Sequence, residues 1–334
     1  MPAFATHEIF GEEACELFLE KEIKQAVEMH KGVFRAGCQG PDIFFYNPFM
    51  GMKGKEFNLG SRMHETKMNA FFKVYLEELL KIRERFELET GISYFLGFLC
   101  HYSLDAQMHP YIYSRCGYDA ASPEEGKKLL PAHQRLEAVI DKQMLMIKRD
   151  CMPSAYYPEK RIQITRKELA VIAEIMSSTL TRVYRLHVKP ENIKASYWSM
   201  KTAMKQVYDH SGKKSQKISR FENMVLRKDL IGNMVVNDDL QDDMDVMNQK
   251  NTPWKHPWEQ GESYCTHVWQ MYDDGLEDFQ KYAEGVKPML TGLLQRIMLI
   301  EKQQSRAERV TDALREQIPK SAKVIGNKSY HSGK

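Results

Sequence analysis

Apolar positions recur at helical spacing along most of the chain. Residues 8–30 (EIFGEEACELFLEKEIKQAVEMH) are amphipathic, and residues 65–88 (ETKMNAFFKVYLEELLKIRERFEL) repeat the pattern. Residues 91–109 read as a mostly apolar helix ending at or near Pro110, where the missing N–H discourages continuation. Residues 131–150 open with Pro131 at a favourable first-turn position. Further helices are expected at 166–187, 190–210, 213–229 and 262–303, the last with a break near Gly285 or Pro288. No alternating run is long enough for a strand, and KRIQIT at 160–165 is the best candidate. The class is therefore all-α, a multi-helix bundle without internal repeats.

Two segments interrupt the periodicity. Residues 32–63 hold a Gly-rich stretch, QGPDIFFYNPFMGMKGKEFNLGS, and a loop this long in a domain usually serves function. Residues 231–261 pass from an acidic run into TPWKHPWEQG, with Trp254, His256 and Trp258 close together. The acidic run lacks the glycine and terminal glutamate of an EF-hand. The pattern thus divides the chain into an all-α domain (1–230), an acidic, Trp-rich linker or lid (231–261), a long helical segment packing on the domain (262–303) and a basic, flexible tail (304–334).

Composition narrows the class. The 334 residues are 43 % hydrophobic and 28 % charged, ordinary for a soluble globular protein with a sizeable core. No run approaches the roughly 20 apolar residues that span a bilayer. The start, MPAFATHEIFGEEACELF, shows no secretory signal, so a cytoplasmic location is expected. Six widely spaced cysteines without a CxxC pair suit free thiols and argue against a zinc ribbon. Net charge is +3, but residues 301–334 carry eight Lys/Arg against four Asp/Glu, a net of +4. That basic tail is a candidate for peripheral membrane contact, a solvated terminus being the plainer reading.

The chemistry lies in GFLCHYSLDAQMHPYIY, residues 97–113. His101, Asp105 and His109 are spaced by four, so they share one face of an otherwise greasy helix. Residues 131–150 repeat the device with His133, Glu137 and Asp141. Two helices that each present ligand-type residues on one stripe build metal sites in bundle cores. Nitrogen and oxygen donors without thiolate suit Zn²⁺ or another first-row ion. His7, Asp42 and His64 are further candidates at ends and loops. Any one of these residues alone is more simply a core or surface group. Jointly, burying them unpaired would cost several kcal/mol, a cost that bound metal removes. The later histidines His187, His210, His256, His267 and His331 show no ligand spacing and are not expected to be ligands of the cluster.

In order, His7, Asp42, His64, His101-x3-Asp105, His109 and His133-x3-Glu137 resemble the zinc-dependent phospholipase C family, related to the S1/P1 nucleases. The matching words are THEIFGEEA, GPDIFFY, MHET, FLCHYSLDAQMHPYI and HQRLE, within about residues 5–145. The resemblance implies an all-α fold around up to three zinc ions. Asp42, His64, His101 and Asp105 would hold one, and His109, His133 and Glu137 a second. His7, with Asp105 as a bridge, would hold a third. Secreted members complete that third site with a processed N-terminal residue. Here six residues precede His7, so two zinc ions are expected and the third needs another donor.

The implied activity is phosphodiester hydrolysis by metal-activated water, on a phospholipid or a smaller diester. Asp42 is the catalytic candidate, as orienter or base for that water. Phe44, Phe45, Tyr46 and Tyr102 are the substrate-binding candidates, with Phe49 and Tyr111 nearby. The alternatives are a P1-like nuclease or nucleotidase and a non-catalytic helical protein stapled by zinc. Nucleic acid is disfavoured because the region around the ligands is not strongly basic.

Overall fold

The computed structural model describes residues 4–47, 58–121, 129–211, 234–242, 245–259 and 261–334. The helix expected at 213–229, Phe49 and parts of both irregular segments lie outside the described residues. The elements in order are α1 (Phe4–Phe18), α2 (Lys21–Met29), α3 (Lys31–Gly37), a 3-10 helix (Gly40–Tyr46), α4 (Leu59–Glu65) and α5 (Met68–Lys81). There follow α6 (Arg85–Arg115), α7 (Leu130–Arg149), α8 (Pro158–Arg161), α9 (Arg166–Tyr184) and α10 (Pro190–Val207). The chain continues through β1 (Trp254–Lys255), β2 (Ser263–Tyr264), α11 (Val268–Glu301) and α12 (Arg306–Ile325). The two short strands form one antiparallel pair, and the fold is all-α.

α6 is the axis of the bundle. Its 31 residues make a rod of about 46 Å. It is buried on nearly every side from Leu88 to Ile112, because α1, α2, α3, α5, α7, α9 and α11 all pack against it. A helix apolar all round is stable only when so enclosed. This explains why α6 does not stop at Pro110. Pro110 leaves the Ala106 carbonyl without its helical donor, but packing on both flanks carries the helix on to Arg115. The same holds for α11, continuous through Gly285 and Pro288 where a break was expected.

α3 lies on α6 through glycine. A Cβ on Gly97 would stand 2.1 Å from the Phe34 carbonyl oxygen, and one on Gly37 would stand 2.5 Å from that of Tyr94. The two backbones can meet at this distance only because neither position has a side chain.

KRIQIT is not a strand. Thr165 caps α9 instead: its hydroxyl accepts from Glu168 N at 3.2 Å, while the Glu168 carboxylate accepts from Thr165 N at 2.7 Å. The tail differs more. Residues 306–325 form α12, which buries Leu314, Ile318, Ala322 and Ile325 against α5 and α11. The expected flexible tail is therefore a packed helix followed by a segment that turns back into the site. Its positive charges sit on the outer face of α12, which is why composition suggested solvation.

Candidate metal centre

Imidazoles from three elements, α1, α4 and α6 itself, converge on one carboxylate, that of Asp105 on α6. His7 Nε2 lies 3.1 Å from Asp105 Oδ1, and His101 Nε2 lies 3.0 Å from Oδ2. His64 Nε2 and His109 Nδ1 each lie 3.5 Å from Oδ2. Asp42 Oδ1, on the 3-10 helix, stands 3.2 Å from His64 Nε2. One turn along α6, His109 Nε2 is 3.5 Å from Glu137 Oε1, and His133 Nε2 is 2.9 Å from the same atom. All eight sequence-derived ligand candidates are thus brought together. They form three groups whose donor atoms lie within 4.8 Å of one another: His7, His101 and Asp105; Asp42, His64 and His101; His109, His133 and Glu137.

Local structure aims each ring. His7 sits inside α1, not ahead of it as the sequence suggested, and the start of α1 is held by Asp141 of α7. Asp141 accepts from Ala5 N, Thr6 N, Thr6 Oγ1 and Tyr208 OH at 3.2, 2.9, 2.6 and 2.7 Å. Burial pushes its carboxyl up to about 6 against those hydrogen bonds. His64 closes the short α4, whose N-cap is Asn58, where the sequence suggested a helix opening. Its Nδ1 donates to the Gly60 carbonyl at 2.8 Å. His101 Nδ1 donates to the Cys38 carbonyl at 3.1 Å, and His109 Nδ1 to the Tyr330 carbonyl at 3.2 Å. A proton held at Nδ1 leaves Nε2 as the lone-pair donor, the arrangement found around ligating histidines.

Two features fit a metal better than a hydrogen-bond network. His101 Nε2 and His7 Nδ1 are buried without a hydrogen-bond partner. In His101 this is so although Asp105 Oδ2 is only 3.0 Å away. Two lone pairs facing one point, not each other, produce such a contact. The second feature is charge. Asp42, Asp105 and Glu137 are at most 5 % exposed, and buried carboxylates need compensation. Burial pushes Asp105 up, but the imidazoles of His101, His109 and His7 outweigh it and hold the carboxyl well below the usual range. Glu137 is held well below its range against burial by His133 and His109. Burial lowers His64, yet hydrogen bonds to Asp105 and Asp42 lift it to about 9. A divalent ion held among these donors would supply the compensation with the rings neutral. The space beside Thr6, His7, Asp105 and Glu137 is about 10 Å³, the size for one water or ion. Cavities of about 410 and 870 Å³ lie elsewhere, along α1 and α2 and beside α12, and touch none of these ligands.

The aromatic candidates fall in different places. Phe45 is part-buried with its ring 5.4 Å from His64, and Tyr46 packs on Phe4 at 5.8 Å. Phe44 is a core residue. Tyr102 is also fully buried, and its hydroxyl accepts from Lys328 N at 2.6 Å, so it faces no substrate in this arrangement. Tyr111 is buried and donates to the Val246 carbonyl at 2.8 Å. Trp254 packs against Tyr111 and Tyr264, as expected of a core-covering group.

His331 is in none of the three ligand groups, yet it packs beside them. It lies on the cluster, its ring stacked over His64 at 5.4 Å and 5.9 Å from His109. Tyr330 beside it is fully buried against His64 and His101. Neither has a periodic signal in GNKSYHSGK; a lone aromatic pair between two glycines was the only hint. The cap role of Asp141 was also missed, although its place on the His133–Glu137 stripe was visible.

The chain matches the family described as zinc dependent phospholipase C over residues 6–207. That span takes in every candidate ligand and more than half of the chain, and the protein belongs to this family of zinc-dependent hydrolases. No curated protein and no solved structure matches it.

Proposed function

We propose that the protein is a zinc-dependent phosphodiester hydrolase acting on a phospholipid or a smaller diester. The observation that carries the reading is the convergence of four imidazoles on Asp105, with a second carboxylate-imidazole group one helical turn away. Asp42, His64, His101, Asp105 and His7 would hold metal on one side, and His109, His133 and Glu137 on the other. Zinc bound there would supply a Lewis acid for phosphoryl oxygens and lower the pKa of water toward about 7.

The chain's own contribution is positioning. The carbonyls of Gly60, Cys38 and Tyr330 keep the Nδ1 protons in place, so the Nε2 lone pairs stay turned inward. Asp42 enters from a separate element and stands 3.2 Å from His64 Nε2, a place that suits orienting a water or taking its proton. Among the substrate-binding candidates, Phe45 lies beside His64 at 5.4 Å and would meet the organic part of a substrate. Donors made wholly of nitrogen and oxygen favour a working site over a structural staple.

Elemental analysis of protein purified without chelator is the direct test. Two or three zinc per chain, together with hydrolysis of choline phospholipid or an aryl phosphodiester, is the expected result. Absence of stoichiometric metal would overturn the reading. Preferential turnover of single-stranded DNA would replace it with the nuclease alternative.

A further inference from the structure

Residues 326–334 leave α12 and cross the ligand cluster. Tyr330 N donates to the His64 carbonyl at 2.9 Å, and Ser329 Oγ donates to the same oxygen at 3.2 Å. The Tyr330 carbonyl accepts from His109 Nδ1 at 3.2 Å. The His331 ring covers His64 and reaches Tyr113 at 5.2 Å. Three consecutive residues therefore sit on two candidate ligands from different helices. His64 and His109 are 2 % and 5 % exposed beneath them. Tyr330 and His331 thus fill the volume directly over those two rings.

We propose that residues 326–334 are a displaceable strap that closes the site, and that substrate binds where Tyr330 and His331 now lie. The proposal rests on the zinc phosphodiesterase reading for the identity of what enters, but not for the motion itself.

The strap is built to lift. It is bounded by Gly326 at φ +81° and Gly333 at φ +69°, in a region that disfavours other residues. Gly326 has nothing near the place of a Cβ, so no side-chain packing opposes a change of chain direction there. Gly333 rests against the Ala106 carbonyl, the one that Pro110 leaves without a helical donor, and a Cβ would stand 2.5 Å from it. Besides the hydrogen bonds to His64, His109 and Tyr102, two ion pairs tether the strap's outer side: Lys328 Nζ to Asp278 at 2.7 Å, and Lys334 Nζ to Glu259. Ion pairs of this kind hold weakly in water. Tyr330 is fully buried, and its hydroxyl has no hydrogen-bond partner among the described residues, which counts against the closed state.

The test uses the zinc-loaded full chain and two variants. The double variant Lys328→Ala, Lys334→Ala cuts both tethers without touching a candidate ligand. Tyr330→Phe removes the unpartnered hydroxyl and keeps the ring. Two readouts need no turnover: the rate at which excess dipicolinate strips zinc, and the rate of chymotryptic cleavage after residue 330. The double variant is expected to speed both by about fivefold to tenfold, the loss of two exposed ion pairs. It is also expected to raise kcat/KM for a small aryl phosphodiester. Tyr330→Phe is expected to slow stripping and cleavage. Unchanged stripping and cleavage in both variants would show a fixed wall and overturn the strap. If zinc binds but no diester is hydrolysed, the functional reading fails, while cleavage after residue 330 still decides the strap.

Discussion

Asp141 accepts from both the backbone N–H and the hydroxyl of Thr6, at 2.9 and 2.6 Å, so a carboxylate on α7 fixes the first turn of α1. His7 is the next residue, with Nε2 3.1 Å from Asp105. Asp141→Ala removes the acceptor for four buried donors. It is expected to destabilise the fold by about 2–4 kcal/mol in chemical unfolding. Zinc affinity should fall about tenfold to a hundredfold through the loss of His7 placement. Wild-type affinity in a folded Asp141→Ala protein would show that α1 needs no such anchor.

Asp105 touches four imidazoles, whereas His133 touches one carboxylate of the cluster. Asp105→Ala should therefore lower zinc per chain further than His133→Ala, and reduce diester hydrolysis by more than about a hundredfold. Elemental analysis of both variants in parallel gives the comparison. Equal losses would mean that Asp105 joins no two groups.

Gly40 opens the 3-10 helix at φ +50°, and a Cβ there would fall 2.2 Å from His101 Cδ2. Gly40→Ala combines an unfavourable backbone with a collision against a ligand ring. A loss of about 1–3 kcal/mol is expected, with weakened zinc binding. Thermal denaturation with and without chelator separates the two effects.

The His64 imidazole is held up at about 9 by Asp105 and Asp42 in the metal-free fold. Its contribution to stability is complete below its ordinary value near 6.5 and is lost as pH rises through about 9. The metal-free protein should weaken by roughly 3 kcal/mol across that window. Zinc competes with the same proton, so its affinity rises over the same range. The zinc-induced increase in Tm is expected to grow from pH 6.5 to 9, measured by calorimetry. A constant increment would exclude His64 as a ligand.

The all-α class and the ligand stripe were legible because both follow from local spacing. His101, Asp105 and His109 recur at one turn, and that rule holds whatever surrounds α6. The ends of the helices were less legible because they depend on neighbours. Pro110 stops an isolated helix but not one clasped along both flanks. α12 was hidden differently: Leu314, Ile318, Ala322 and Ile325 show helical spacing, yet the net charge of +4 over residues 301–334 pointed to solvent. Tyr330 and His331 reach the cluster through a turn near Gly326, and no periodicity encodes where such a turn delivers its side chains.

The glycine contact between α3 and α6 links the middle of the bundle to the chemistry at its end. The Cys38 carbonyl, which turns His101 toward the cluster, follows directly on Gly37. A methyl group at Gly37 or Gly97 would push α3 outward and carry that carbonyl with it. Drift at two positions with no donor atom of their own would then be felt as a change in metal affinity. Inheritance of the site thus depends on residues whose only property is being small.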